Sequence, residues 1–232
     1  NPFWTPIPRG VEDVASHEGF SVILCNTDES EAKEHSYIQV LLQKQVDGFL
    51  LVPANSTSRS IGLIQKQGVP IVVLDRTVPA EVDTVTSDSV DGAYRLTQHL
   101  LERGHRRIVM LSGPREVSTA VDRVKGYRQA LADFSGAEDH PLPSSPEAPN
   151  VLYGEFTQDG GYKMMKQLLG AEPLPTAVFA ANNFIAIGAF RALREVGLRV
   201  PEDMALVAFD DLPLTFMMAP FLTVAAQSVY EM

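Results

Sequence analysis

The chain has 232 residues, of which 45% are hydrophobic and 21% charged, and it carries a formal net charge of −10. This is the composition of an ordinary globular protein, and its acidity argues against this segment gripping a phosphate backbone, which needs clustered Lys and Arg. A single cysteine, Cys25, excludes an internal disulfide and a cysteine-based zinc cluster.

Residues 1–10, NPFWTPIPRG, lack the charged start and apolar core of a secretory leader. From there short β-branched runs alternate with amphipathic stretches. Strands are expected at 20–25 (FSVILC), 48–53, 70–75, 107–112, 150–156, 176–181 and 204–209, with helices at about 30–44, 58–67, 91–103, 119–134, 158–169 and 183–195. Strands apolar on both faces and separated by helices predict parallel sheets sandwiched by helices. Gly104 and Gly197 close two of the helices. The basic knot RGHRR at 103–107 falls where a helix ends, and the helix dipole favours cations there. The stretch 77–89 interrupts the rhythm after three βα units and is expected to mark a boundary between lobes; the proline-rich piece 135–149 reads as a surface loop. No apolar run approaches the roughly 20 residues needed to cross a bilayer, so a soluble chain is expected.

In open parallel sheets ligands bind beyond the carboxyl ends of the strands. At those ends stand Asp75 and Arg76, Phe156, Asn182 and Asn183, and Asp210 and Asp211, while Arg123 lies on the first part of the following helix. Carboxylates and amides suit vicinal hydroxyls, Arg adds a rigid donor fork, and aromatic faces cover C–H surface. That mixture describes a sugar or nucleoside pocket. Capping of the following helices is the competing reading, and Asn183 and Asp211, adjacent to their helices, fit it best. There is no phosphate-loop, HExxH or GxSxG motif, the five histidines show no metal-ligand spacing, and the consecutive side chains of Asp210 and Asp211 diverge. Neither an enzyme nor a metal or cofactor site is expected.

These motifs resemble the effector-binding core of the lactose-repressor family of bacterial transcription regulators, relatives of the periplasmic sugar-binding proteins. The segments similar to the family are 2–30, QVDGFLLVPA (45–54), PIVVLDR (70–76), 100–131, 179–211 and APFLTVAAQSVYEM (219–232), in family order. The resemblance implies a periplasmic-binding-protein-like type I α/β fold: two lobes, each a parallel sheet flanked by helices, joined by crossing strands. The N-terminal lobe would span 1–87, the C-terminal lobe 88–225, and 226–232 would begin the crossover back. By motif, Phe3, Trp4, Asp75 and Arg76 would be first-lobe ligand contacts. Arg123 would grip ligand hydroxyls or a carboxylate, Phe156 would stack, Asn182 and Asp210 would bond hydroxyls, and Gln227 would line the hinge side. The chain would start just after the family's first sheet strand and would lack the helix-turn-helix headpiece. Asn182-Asn183 replaces the family's usual Asn-Asp. The implied function is that of a cytoplasmic, homodimeric repressor that senses a sugar or similar effector and meets operator DNA through the headpiece. The alternative is a transport-associated periplasmic sugar-binding protein.

Overall fold

The computed structural model describes residues 6–56, 59–137, 150–211, 222–228 and 230. The chain divides into two compact units. The first is built on residues up to Ser87, to which Glu116–Thr119 and Ser228 onward return; the second is built on Asp88–Arg115 and Ala120–Gln227.

The first unit contains helices α1 (Pro6–His17), α2 (Glu31–Gln43) and α3 (Ser60–Lys66) and strands β1 (Phe49–Leu51), β2 (Ile71–Leu74) and β3 (Asp83–Val85). The strands form one parallel sheet in the order β1-β2-β3. Its core is small: Ile38, Phe49, Leu51, Ile61, Ile64 and Val73. Ser30 caps α2, its hydroxyl accepting from the Lys33 amide. The strand expected at 20–25 is absent. A strand exists through its ladder, and among the described residues these make none; Phe20, Ile23 and Leu24 are exposed. β3 lies inside the stretch that sequence reads only as a break.

The second unit contains α4 (Ser89–Glu102), α5 (Ser118–Ala137), α6 (Gln158–Leu168) and α7 (Asn183–Glu195). Its strands are β4 (Ile108–Ser112), β5 (Val151–Tyr153), β6 (Ala177–Ala180), β7 (Ala205–Phe209) and β8 (Thr223–Ala225). They form a five-stranded parallel sheet, order β5-β4-β6-β7-β8. β4 and β6 are buried along their whole length, as their unbroken apolar runs require of strands covered on both faces. The α6–α7 contact is drawn tight by glycines: a Cβ on Gly161 would strike the Ile185 carbonyl, and one on Gly188 that of Gln158. The basic knot serves the end of α4: Arg106 donates to the Leu101 carbonyl at 2.8 Å, which also accepts from the Gly104 amide. α5 runs to Ala137, so the expected loop begins later, and residues 138–149 lie outside the described residues. Among the described residues no helix is long and apolar enough to cross a membrane.

Candidate functional site

The sheet order of the second unit lines up the residues at its carboxyl edge. Phe156 follows β5, Gly113 follows β4, Asn182 follows β6, Asp210 ends β7 and Gln227 follows β8, so these five form a row in the order Phe156, Gly113, Asn182, Asp210, Gln227. Arg123 enters from α5. Gly126, one turn further along α5, lies against the Val90 carbonyl of α4, and this close approach brings Ser89, the first residue of α4, to the arginine.

Asp210 is a non-glycine residue in the left-handed region, φ 67°, where the short side chain of Asp is tolerated better than most. Its amide donates to the Ala225 carbonyl at 3.0 Å, tying β7 to β8 at their ends. The side chain is buried. One carboxylate oxygen accepts from Gln227 Nε2 at 2.5 Å, and the other lies 3.7 Å from Arg123 Nη1. Burial pushes this carboxyl above the ordinary range, against the opposing pull of Arg123 and the Gln227 bond.

Arg123 is equally buried. Its Nη1 donates to the Ala181 carbonyl at 2.7 Å, its Nε to Ser89 Oγ at 3.4 Å, and its guanidinium lies 3.9 Å from the centre of the Phe209 ring. The cation is thus held by a carbonyl, a hydroxyl, a π face and a carboxylate, which together make burial of a charge tolerable. Three buried oxygens along this edge, Ser112 Oγ, Asn183 Oδ1 and Gln227 Oε1, have no hydrogen-bond partner among the described residues. Unpaired buried polar atoms are rare, and one of the three, Gln227 Oε1, belongs to the side chain that bonds Asp210.

Asn182 takes the capping role that the sequence reading favours for Asn183. Asn182 is the N-cap of α7, its Oδ1 accepting from the Ile185 amide at 2.8 Å, while Asn183 donates from Nδ2 to the Asp211 carbonyl at 2.9 Å. α7 starts at Asn183, so the half-in residue before it, Asn182, is the N-cap. Phe156 is half-buried with its ring against Gly113. Sequence gave no hint of Ser89 or Gly113, because neither belongs to a pattern that marks a partner 30 or more residues away.

In the first unit Asp75 ends β2 as Asp210 ends β7: φ is 66°, and the amide donates to Val85, the last residue of the neighbouring strand, at 2.8 Å. Arg76 is committed inside its own unit. Nη1 donates to the Pro53 and Ala54 carbonyls at 2.5 and 2.7 Å, and Nη2 lies 2.9 Å from both carboxylate oxygens of Glu29; Nε has no partner among the described residues. Glu34, fully buried, accepts from the Ala54 amide at 2.6 Å, so Arg76 and Glu34 together fix the loop after β1. Phe3 and Trp4 lie outside the described residues. Among the described residues no group of three or more His, Cys, Asp or Glu side chains is placed to hold a metal ion.

A parallel sheet whose carboxyl edge carries buried polar groups, incompletely satisfied among the described residues, is an arrangement that suits ligand binding. The chain matches, over residues 1–229, the family described as periplasmic binding proteins and sugar binding domain of the LacI family, and it belongs to that family. It is 37% identical over 228 residues to the HTH-type transcriptional repressor PurR of Haemophilus influenzae (strain PittEE), covering 98% of this chain and 66% of that protein. It is 35% identical over 233 residues to the ribose operon repressor of Halalkalibacterium halodurans, covering 100% of this chain and again 66% of the relative. The chain therefore spans about two thirds of the length of these repressors. A crystal structure of a LacI family transcriptional regulator from Enterococcus faecium with bound ribose superposes with a TM-score of 0.83 at 31% identity, covering 100% of this chain and 81% of the other.

Proposed function

We propose that this chain is the effector-sensing core of a bacterial transcription repressor and that it binds a sugar or related hydroxylated molecule without converting it. The observation that carries this reading is the Arg123–Asp210–Gln227 cluster, a buried ion pair beside an amide oxygen, Gln227 Oε1, that has no partner among the described residues. Hydroxyl groups can donate to Asp210 and Gln227 and accept from Arg123, whereas an apolar ligand would add nothing to Gln227 Oε1. Phe156 and Asn182 extend the contact surface along the same row. In the first unit Arg76, next to Asp75 at the end of β2, holds the loop after β1. The family and the repressors it resembles support this reading over a transport-associated one. The remaining steps are proposed on the same footing: operator DNA is met through a separate headpiece, the working unit is a homodimer, and the protein acts in the cytoplasm.

A calorimetric panel of D-ribose, hexoses, nucleosides and purines against the protein tests this. Saturable binding of one of them, weakened at least tenfold by Arg123→Ala and by Asp210→Ala, is expected from losing a charged hydrogen bond of about 2 kcal/mol. Wild-type affinity in both variants would remove the site, and steady chemical conversion of the ligand would replace a sensor with an enzyme.

A further inference from the structure

Gly113 follows β4 directly, and its backbone is outside the left-handed region, so nothing in the chain conformation demands glycine there. The demand comes from a side chain. A Cβ built on Gly113 would stand 2.6 Å from Cε1 of the Phe156 ring and closer still to Cζ and Cε2. Non-bonded carbons prefer about 3.5–4.0 Å, so the ring occupies the space any side chain at 113 would fill.

The backbone on either side of Phe156 cannot yield easily. The Gly154 amide donates to the Ser112 carbonyl at 3.0 Å, which ties the ends of β4 and β5 together beside the contact. On the other side Thr157 is the N-cap of α6, its hydroxyl accepting from the Gly160 amide at 3.0 Å. With both flanks fixed, a methyl group at 113 leaves the ring only its own side-chain torsions to escape through.

We propose that Gly113 is a positioning residue for the ligand site: by offering no side chain it sets where the Phe156 ring lies at the carboxyl edge of the sheet, and so which ligand faces the ring can cover. This deepens the proposed function and rests on Phe156 being a ligand-facing ring. Position 113 then governs specificity without touching the ligand, and it acts only while an aromatic ring stands at 156.

The test uses three variants of the intact protein, Gly113→Ala, Phe156→Ala and the two combined, with D-ribose as calorimetric probe and the ring signals of Phe156, in protein labelled at phenylalanine, as a readout independent of ligand. Gly113→Ala is expected to shift the Phe156 ring signals and to weaken D-ribose binding by up to about tenfold, the scale of one aromatic contact. The double variant should bind no more weakly than Phe156→Ala alone, because the methyl group then displaces nothing. Unchanged ring signals in Gly113→Ala, or a double variant weakened by the full product of the single effects, would overturn the proposal. If Phe156→Ala binds D-ribose as the wild type does, the ring is not in the site and the ligand reading fails, while the ring signals still decide whether Gly113 positions it.

Discussion

Replacing Arg123 by Met removes a cation while keeping an unbranched chain to pack against the Phe209 ring. The variant loses the bond to the Ala181 carbonyl and leaves Asp210, almost fully buried, without its only nearby positive charge among the described residues. Stranding one member of a buried pair costs about 3–5 kcal/mol, and that is the largest deficit expected when about pH 8 is compared with about pH 5. Burial already raises the Asp210 carboxyl in the wild type, and loss of Arg123 removes the largest pull in the other direction. A carboxyl raised in the folded state contributes stability that is fully present below its unfolded pKa and is lost as pH rises through the folded value. The Arg123→Met deficit should therefore be smaller at the lower pH, which favours the protonated form of Asp210. Adding Asp210→Asn should recover much of the loss at the higher pH, giving a coupling of roughly 2 kcal/mol between the two sites. Urea unfolding followed by circular dichroism at both pH values measures all four proteins. Equal deficits at the two pH values, or additive costs in the double variant, would refute the assignment of Arg123 as the counter-charge of Asp210.

Three further outcomes are expected. Asn182→Ala should lower stability by about 1 kcal/mol, the usual value of an N-cap, whereas Asn182→Asp should hold it, by thermal unfolding. Gly188→Ala should cost about 3 kcal/mol, because its methyl group meets the α6 backbone, while Gly62→Ala, with nothing near its Cβ, should gain about 0.5–1 kcal/mol; denaturant midpoints compare them. Tyr127→Phe leaves the Ile108 carbonyl without the phenol that donates to it at 2.8 Å and should cost about 1–2 kcal/mol. In the wild type, burial pushes the Tyr127 phenol well above its ordinary range, so alkaline titration by absorbance should show this tyrosine ionising last, with unfolding.

Much of the second unit was legible because its strands are unbroken apolar runs that end in polar residues, and this pattern alone locates Asp210, Asn182 and Phe156 on one edge. The first unit was less so. FSVILC has every local mark of a strand, but pairing is a property of neighbours, and none of the described strands offers one. β3 and β8 are three residues each and partly or wholly exposed, too short to show a period. Arg76 stands at a strand end, and the groups that its Nη atoms bond, Pro53, Ala54 and Glu29, lie 22 to 47 residues away, beyond the reach of a sequence pattern. Which of Asn182 and Asn183 caps α7 depends on the exact first residue of the helix, finer than a pattern resolves.

The two side chains that steady the buried ion pair occupy telling places along the chain. Ser89 comes two residues after the first unit ends at Ser87, and Gln227 immediately precedes the return at Ser228. Substitutions at Arg123 or Asp210 are thus felt by side chains that stand within two residues of a change of unit along the chain.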